Sequence, residues 1–250
     1  MEDKVLEYGQ AGFNLPHDVV QLPSNGLFYK NKKKSLKVGY LTASDENLLL
    51  GGGYKDFTLQ LLRNKIYEHD IKPEELLEGD IEAILLFLRN TSFGPEIELN
   101  PIDPKTGQKF KVSVNLEKIS ILEGAKPNED GYFSITLPKS NDKLVLKVLT
   151  YGDLLEINKI IDTYPENRVA PRATLRLAKE IVSINGNAER TSIVEYVESM
   201  PIADSRYIRK YLSENTPKLD LKREVIAPSG EKTVVYTGFG VEFFRPFFGI

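Results

Sequence analysis

The chain of 250 residues contains no cysteine and only two histidines. The absence of cysteine excludes disulfides, thiol catalysis and cysteine-liganded zinc. Two histidines without cysteine also make a transition-metal centre improbable, because such centres are built mainly from these two residue types. We therefore expect no metal ion and no cofactor in the folded protein.

A strong net charge and a long apolar run are also missing. The formal net charge is −3, so the surface as a whole has no strong field to attract nucleic acid or an anionic membrane. No stretch of about 18 consecutive apolar residues occurs, which excludes a transmembrane helix. The first ten residues, MEDKVLEYGQ, are acidic rather than apolar, so we expect no signal peptide and a cytoplasmic origin.

The most apolar helix of the sequence is predicted to begin at Asp80, whose carboxylate can cap a free backbone N–H. One face of this helix repeats apolar residues at helical spacing, namely Ile81, Ile84, Leu85 and Leu88. Leu86 and Phe87 widen that face, as is typical of a buried helix. Gly94 followed by Pro95 predicts the end of the helix.

A β-hairpin is predicted directly after this helix. Residues 96–99 alternate polar with apolar, residues 104–107 supply a turn, and the return strand shows Phe110, Val112 and Val114. A second hairpin is predicted near the C-terminus, with Pro228-Ser229-Gly230 as its turn. The two turns are similar, so an internal repeat and a coincidence of common turn chemistry both remain open.

The whole pattern predicts an α+β fold, a helical core with inserted β-hairpins and a C-terminal β-hairpin. Further helices are expected over Tyr151–Ile161, Arg172–Ile184, Thr191–Met200 and Ala203–Leu212. We divide the chain into an N-terminal arm and hairpin (1–40), a helical segment (41–94), a β-rich insertion (95–150), a second helical segment (151–219), and a C-terminal hairpin with an aromatic tail (220–250).

No set of residues predicts catalysis, so we expect a protein that is not an enzyme. His17 and His69 are each followed by Asp, but adjacency in sequence does not orient an imidazole as a catalytic pair requires. A hydrolase built on one of them remains a third class of function. Gly51-Gly52-Gly53 lacks the Gly-Lys-Ser/Thr that a phosphate-binding loop needs, and it indicates the end of a helix instead.

The lysine-rich segment Lys30–Lys37 supports an alternative function. A run of lysines can contact phosphates, which would make the protein a small cytoplasmic nucleic-acid-binding module. A solvated loop between two strands accounts for the same residues. Salt-sensitive DNA binding would distinguish the two interpretations.

The last residues, GFGVEFFRPFFGI, form an unusually aromatic tail. A segment this apolar either packs against its own domain or fills a groove on a partner, and the sequence leaves both destinations open. Our prediction for the partner-binding residues is Phe243, Phe244, Arg245, Phe247 and Phe248.

Several motifs in order resemble a known family. They are LPSNGLFY, VGYLTASDENLLL, AILLFLRNTSFG with its hairpin and VNLEKI, ADSRYIRKYL, and VEFFRPFF. Together they resemble the baseplate hub assembly proteins of T-even-like contractile-tailed phages. Many relatives have a Cys-Pro-x-Cys-Gly turn in the hairpins, which indicates a zinc ribbon. Here Asp103, Thr106, Ala227 and Ser229 take those places, so the resemblance implies zinc-ribbon-like hairpins without metal ligands.

The resemblance implies a non-enzymatic structural or assembly component of a contractile phage tail baseplate. Its partners would be other baseplate or hub proteins, with a homo-oligomer also allowed, and neither a membrane nor nucleic acid is expected among them. The implied location is the host cytoplasm during assembly and the baseplate of the virion tail.

Overall fold

A computed structural model of the chain describes residues 16–51, 54–165, 167–239 and 241–244. It confirms the α+β class, with helices beside small antiparallel sheets. The helices are α1 (Ala43–Gly51), α2 (Tyr54–Lys65), α3 (Glu78–Phe93), α4 (Tyr151–Asp162), α5 (Arg172–Glu180), α6 (Arg190–Ser199), α7 (Ile202–Asn215) and α8 (Val241–Phe244), with a 3₁₀ turn at Pro73–Glu75. None of the helices in these ranges is long and apolar enough to cross a membrane.

The strands pair mostly as two-stranded ribbons. They are β1 (His17–Gln21), β2 (Ser35–Gly39), β3 (Glu96–Leu99), β4 (Val112–Asn115), β5 (Ile121–Leu122), β6 (Tyr132–Thr136), β7 (Lys143–Lys147), β8 (Ile181–Ile184), β9 (Lys218–Leu219), β10 (Lys222–Ile226) and β11 (Lys232–Tyr236). β1 pairs with β2, β3 with β4, β5 with β9 and β10 with β11, while β6, β7 and β8 form a three-stranded sheet. Both predicted hairpins are therefore confirmed.

Helix α3 forms where its apolar spacing predicts, but it begins earlier than expected. Its N-cap is Leu77 and not Asp80, so the predicted cap is wrong. The carboxylate of Asp80 bonds to the loop between β1 and β2 instead of to its own helix. The C-terminus agrees with the prediction: Gly94 adopts φ 78° and donates its N–H to Asn90 O at 3.1 Å, a backbone conformation that glycine adopts without a steric penalty.

The predicted helix Arg172–Ile184 is confirmed in its first part and wrong over its last four residues. The helix ends at Glu180, and residues 181–184 form strand β8 beside β7, with Leu144 opposite Ile184 and Leu146 opposite Ile181. Two β-branched residues at its start suit a strand, and the pairing gives β7 a neighbour on its second side. In the first hairpin, β4 begins at Val112, so Phe110 precedes the return strand to which it was assigned.

The buried side chains form two hydrophobic cores. The first contains residues from β1 to Leu116 together with residues of β9, β11 and α8, and the second contains residues of the β6–β7–β8 sheet, α5, α6 and α7. Phe28 and Val148 pack against both cores. The chain thus leaves the first core, builds the second, and returns for its last strands. Each core draws on more than one of the five predicted segments, whose boundaries stay a prediction.

Candidate functional site

The start of α3 is fastened to the N-terminal hairpin by a buried polar cluster. The Asp80 carboxylate accepts from Ser24 N at 2.8 Å and from the Tyr29 hydroxyl, and that hydroxyl accepts from Leu77 N at 2.9 Å. Burial and the neighbouring carboxylate raise the pKa of Tyr29, and burial raises the pKa of Asp80. Ser24 and Tyr29 both belong to the LPSNGLFY motif, so this motif is explained by packing onto α3.

The end of α3 is fastened by Arg89, which is fully buried. Its guanidinium donates to Gly94 O and, at 2.6 Å, to Glu96 O, the backbone carbonyls through which the helix passes into β3. Burial lowers the pKa of Arg89, opposed by the nearby Glu96 carboxylate. One charged side chain therefore supplies hydrogen-bond donors to two backbone carbonyls that follow the helix and have no helical N–H within reach.

The aromatic tail meets α3 at this same arginine. The Arg89 guanidinium lies 5.7 Å from the centre of the Phe243 ring, within the range of a cation–π contact. Phe243 packs against Phe239 at 4.7 Å and against Phe244 at 5.1 Å, and Phe244 packs against Phe57 at 5.9 Å. These contacts bury Phe243 and Phe244 to 1% and 3% exposure in the first core.

The predicted partner-binding residues thus divide into two groups. Phe243 and Phe244 fill a groove of their own chain, as the intramolecular alternative expects. Arg245, Phe247 and Phe248 lie outside the described residues. Binding of a partner by this segment stays a prediction.

The two similar hairpin turns lie against each other. Asp103 Oδ1 accepts from Ser229 Oγ at 2.7 Å, Asp103 Oδ2 accepts from Ser229 N at 3.1 Å, and Asp103 Oδ1 also accepts from the backbone N–H groups of Lys105 and Thr106. Burial opposes ionisation of Asp103, but these hydrogen bonds outweigh it and hold the pKa below its usual value. The turns whose similarity is visible in the sequence are therefore joined by one carboxylate. Within the described residues, no group of three or more acidic or histidine side chains is placed to hold a metal ion.

A cleft of about 400 Å³ is lined by residues of both helical segments. Glu78 and Glu82 of α3, Glu180 of α5 and Arg209 of α7 are among them. Burial and the neighbouring Glu78 raise the pKa of Glu82 to about 7, against the opposing effect of Lys218. Like charges one helical turn apart repel each other, so Glu78 and Glu82 are an acidic pair whose repulsion favours protonation of Glu82.

Two side chains of the lysine-rich loop are bound by their own chain. Lys33 Nζ lies 3.0 Å from Asp70 and 3.8 Å from Glu68, and Lys32 Nζ donates to the backbone carbonyl Glu129 O at 2.6 Å. A phosphate would have to compete with the two carboxylates for Lys33. The nucleic-acid alternative therefore gains no support from the structure.

Both histidines are exposed at the surface. The His17 ring stacks edge-on against Tyr67 at 5.6 Å. The two His-Asp pairs of the sequence therefore lie at the surface of the protein. The hydrolase hypothesis gains no supporting geometry from these positions.

A family model described as "T4 bacteriophage base plate protein" matches residues 20–245 of the chain. That range covers both cores, both hairpin turns and the buried phenylalanines of α8. The chain belongs to this family. No curated protein and no solved structure matches it. The family consists of structural proteins of the phage baseplate. The resemblance that the sequence motifs indicate is therefore confirmed at the level of the baseplate.

The structural roles of two buried residues of this base plate protein were not identified from the sequence. Arg89 stands alone as a cation in the apolar run AILLFLRN, and such an isolated charge in a buried helix is a signal for a structural hydrogen bond. Asp103 and Ser229 stand out only as replacements of metal ligands in the two hairpin turns, and nothing in the sequence indicates a hydrogen bond between residues 126 positions apart.

Proposed function

We propose that this base plate protein is a non-enzymatic structural or assembly component of the baseplate hub, and that it binds other baseplate or hub proteins. The observation that carries the proposal is the family match over residues 20–245. Assignment to the hub, rather than to the baseplate in general, is supported by the order of the motifs from LPSNGLFY to VEFFRPFF. Assembly in the host cytoplasm is part of the same proposal.

The geometry supports a structural role because the buried polar groups hold elements together. Asp80, Arg89 and Asp103 each join two parts of the chain that are separate in sequence or in secondary structure. Each has donors or acceptors of the protein around it, which is what a fixed scaffold requires. A rigid scaffold that presents exposed ribbons is well suited to assembly with other proteins.

The experiment is disruption of the gene in its phage, followed by electron microscopy of tails and by an infectivity assay. We expect no complete baseplates, with restoration by a plasmid copy of the wild-type gene. Mass spectrometry of purified wild-type tails then separates the two roles, since a structural piece remains in the tail and an assembly factor is absent from it. Infectious particles in normal yield after disruption would contradict the proposal.

A further inference from the structure

One face of the C-terminal hairpin is exposed along most of its length. Ile226, Val234 and Tyr236 are exposed to 69%, 63% and 60%. They share this face with the charged Lys222, Glu224 and Lys232, because side chains at alternate positions of paired strands project to the same side. The opposite face is turned inward, where Val235 is buried and Val225 packs against the first core. The hairpin is therefore anchored to the first core through one face.

The outer edge of β11 also has unpaired backbone groups. The hairpin is closed by a hydrogen bond from Ala227 N to Glu231 O at 2.8 Å, and bonded and non-bonded pairs alternate along an antiparallel ladder. With the observed register, the backbone groups that point away from β10 belong to Lys232, Val234 and Tyr236. Among the described residues β11 pairs with β10 alone, and these outer groups make no other hydrogen bond.

This edge lacks the protection that ribbons usually carry. Natural proteins block open edges with charged side chains, prolines or bulges. The β3–β4 ribbon does so, with Glu96 and Glu98 exposed on its outward side. On the edge of β11 only Lys232 is charged, and its Nζ is already paired with Glu224 Oε1 at 2.6 Å.

We propose that two copies of this chain pair edge to edge along β11, antiparallel about a two-fold axis at Val234. In this register Val234 exchanges both backbone hydrogen bonds with Val234 of the second copy, and Lys232 pairs with Tyr236 of the second copy on either side. All three open positions of each copy then find a partner, whereas registers centred on Thr233 or Val235 pair only two. A second copy is the occupant because the edge is self-complementary in this register: valine meets valine, Lys232 lies beside the uncharged Tyr236, and no like charges face each other.

The absence of cysteine makes the pairing directly measurable. Val234→Cys introduces a single thiol, and the Cα separation of a bonded antiparallel pair, about 5.5 Å, lies within the range of a disulfide. Under mild oxidation we expect this variant to form covalent dimers several-fold faster than Val194→Cys, whose position on α6 is 40% exposed and lies away from the edge of β11. Equal rates for the two variants would overturn the proposal.

Sedimentation velocity over a range of protein concentrations provides the second measurement. We expect the wild-type chain to shift toward dimer as its concentration rises and Val234→Lys to stay monomeric, because two ammonium groups would then meet at the axis. Val194→Lys is the matched control, since it adds the same charge at an exposed valine of α6, away from the edge of β11. We expect it to dimerise like the wild type, and thermal melting verifies that both variants are folded. A monomeric wild type at every concentration overturns the proposal, as does loss of the dimer in Val194→Lys.

Discussion

Arg89 is the charged residue on which the junction between α3 and β3 depends. Replacing it with methionine leaves Gly94 O and Glu96 O without a donor and removes the contact with Phe243. The loss of these charge-assisted hydrogen bonds is partly offset by removal of a buried cation. We therefore expect Arg89→Met to lower the free energy of unfolding by about 2–3 kcal/mol, measured by urea denaturation.

The control for Arg89 is another arginine whose contacts are at the surface. Arg63 pairs with Glu74, and the Arg63 side chain is 56% exposed. Exposed ion pairs contribute little, so Arg63→Met should cost less than about 1 kcal/mol. Equal effects of the two substitutions would show that burial of Arg89 is not what makes it important.

Glu82 gives a pH dependence that can be predicted in sign. Its pKa rises from 4.5 to about 7 on folding, so the folded chain binds the proton more tightly than the unfolded chain does. The stability that protonation provides is fully present below pH 4.5 and is lost as the pH rises through 7. Glu82→Gln should therefore have a higher melting temperature than the wild type at pH 8, with the difference absent or reversed at pH 4.5.

The matched substitution for this test is Glu98→Gln. Glu98 is exposed on the β3–β4 ribbon beside Lys111, so its replacement should change the melting temperature little at either pH. If Glu82→Gln gives the same difference from the wild type at both pH values, ionisation of Glu82 has no part in the stability of the cleft.

At the scale of elements, the paired hairpin turns depend on a single carboxylate. Asp103→Ala removes the acceptor for Ser229 N, and we expect the Ser229 amide to lose its protection in hydrogen exchange. The closing bond from Ala227 N to Glu231 O does not involve Asp103 and should stay protected. The pKa of Asp103 is lower in the folded chain than its ordinary value of 3.8. The stabilisation that the ionised carboxylate gives the paired turns is therefore fully present above pH 3.8 and is lost as the pH falls through the folded-state pKa.

The control in the same turn is Lys105→Ala, which keeps the backbone N–H that bonds to Asp103. It should leave exchange at Ser229 unchanged. Continued protection of Ser229 in Asp103→Ala would mean that packing of Pro228 and its neighbours holds the turns together without the carboxylate.

Elements whose signals are local could be predicted from the sequence, and those that depend on a distant partner could not. The face of α3 and its end at Gly94 follow from spacing and from the preference of glycine for positive φ. Ile181–Ile184 continues the apolar pattern of α5, and only the presence of β7 beside it makes it a strand. Asp80 has the composition of an N-cap, but Ser24 and Tyr29 are better partners for its carboxylate once the hairpin folds over α3. The contact between Asp103 and Ser229 also depends on a partner that is distant in the sequence.

At the scale of the whole molecule, the C-terminus returns to close the first core. The rings of Phe243 and Phe244 are buried beside Arg89 and Phe57, although the core that they complete begins with β1. Two deletions separate this structural role from partner binding. Removal of residues 240–250 takes both rings away, whereas removal of residues 245–250 keeps them and takes away Arg245, Phe247 and Phe248.

Deletion of residues 240–250 should lower the free energy of unfolding by about 3–6 kcal/mol, because each buried phenylalanine contributes about 1.5–3 kcal/mol. Deletion of residues 245–250 should leave unfolding nearly unchanged and abolish baseplate assembly in a complementation assay, if Arg245, Phe247 and Phe248 bind a partner as predicted. Conservative replacement of Phe243 by leucine in the full-length chain is the control, since it weakens the core without shortening the tail and should reduce stability while assembly persists. Infectious particles from the chain that lacks residues 245–250 would refute partner binding by this segment. An unchanged urea midpoint after deletion of residues 240–250 would refute the role of the two rings in the core.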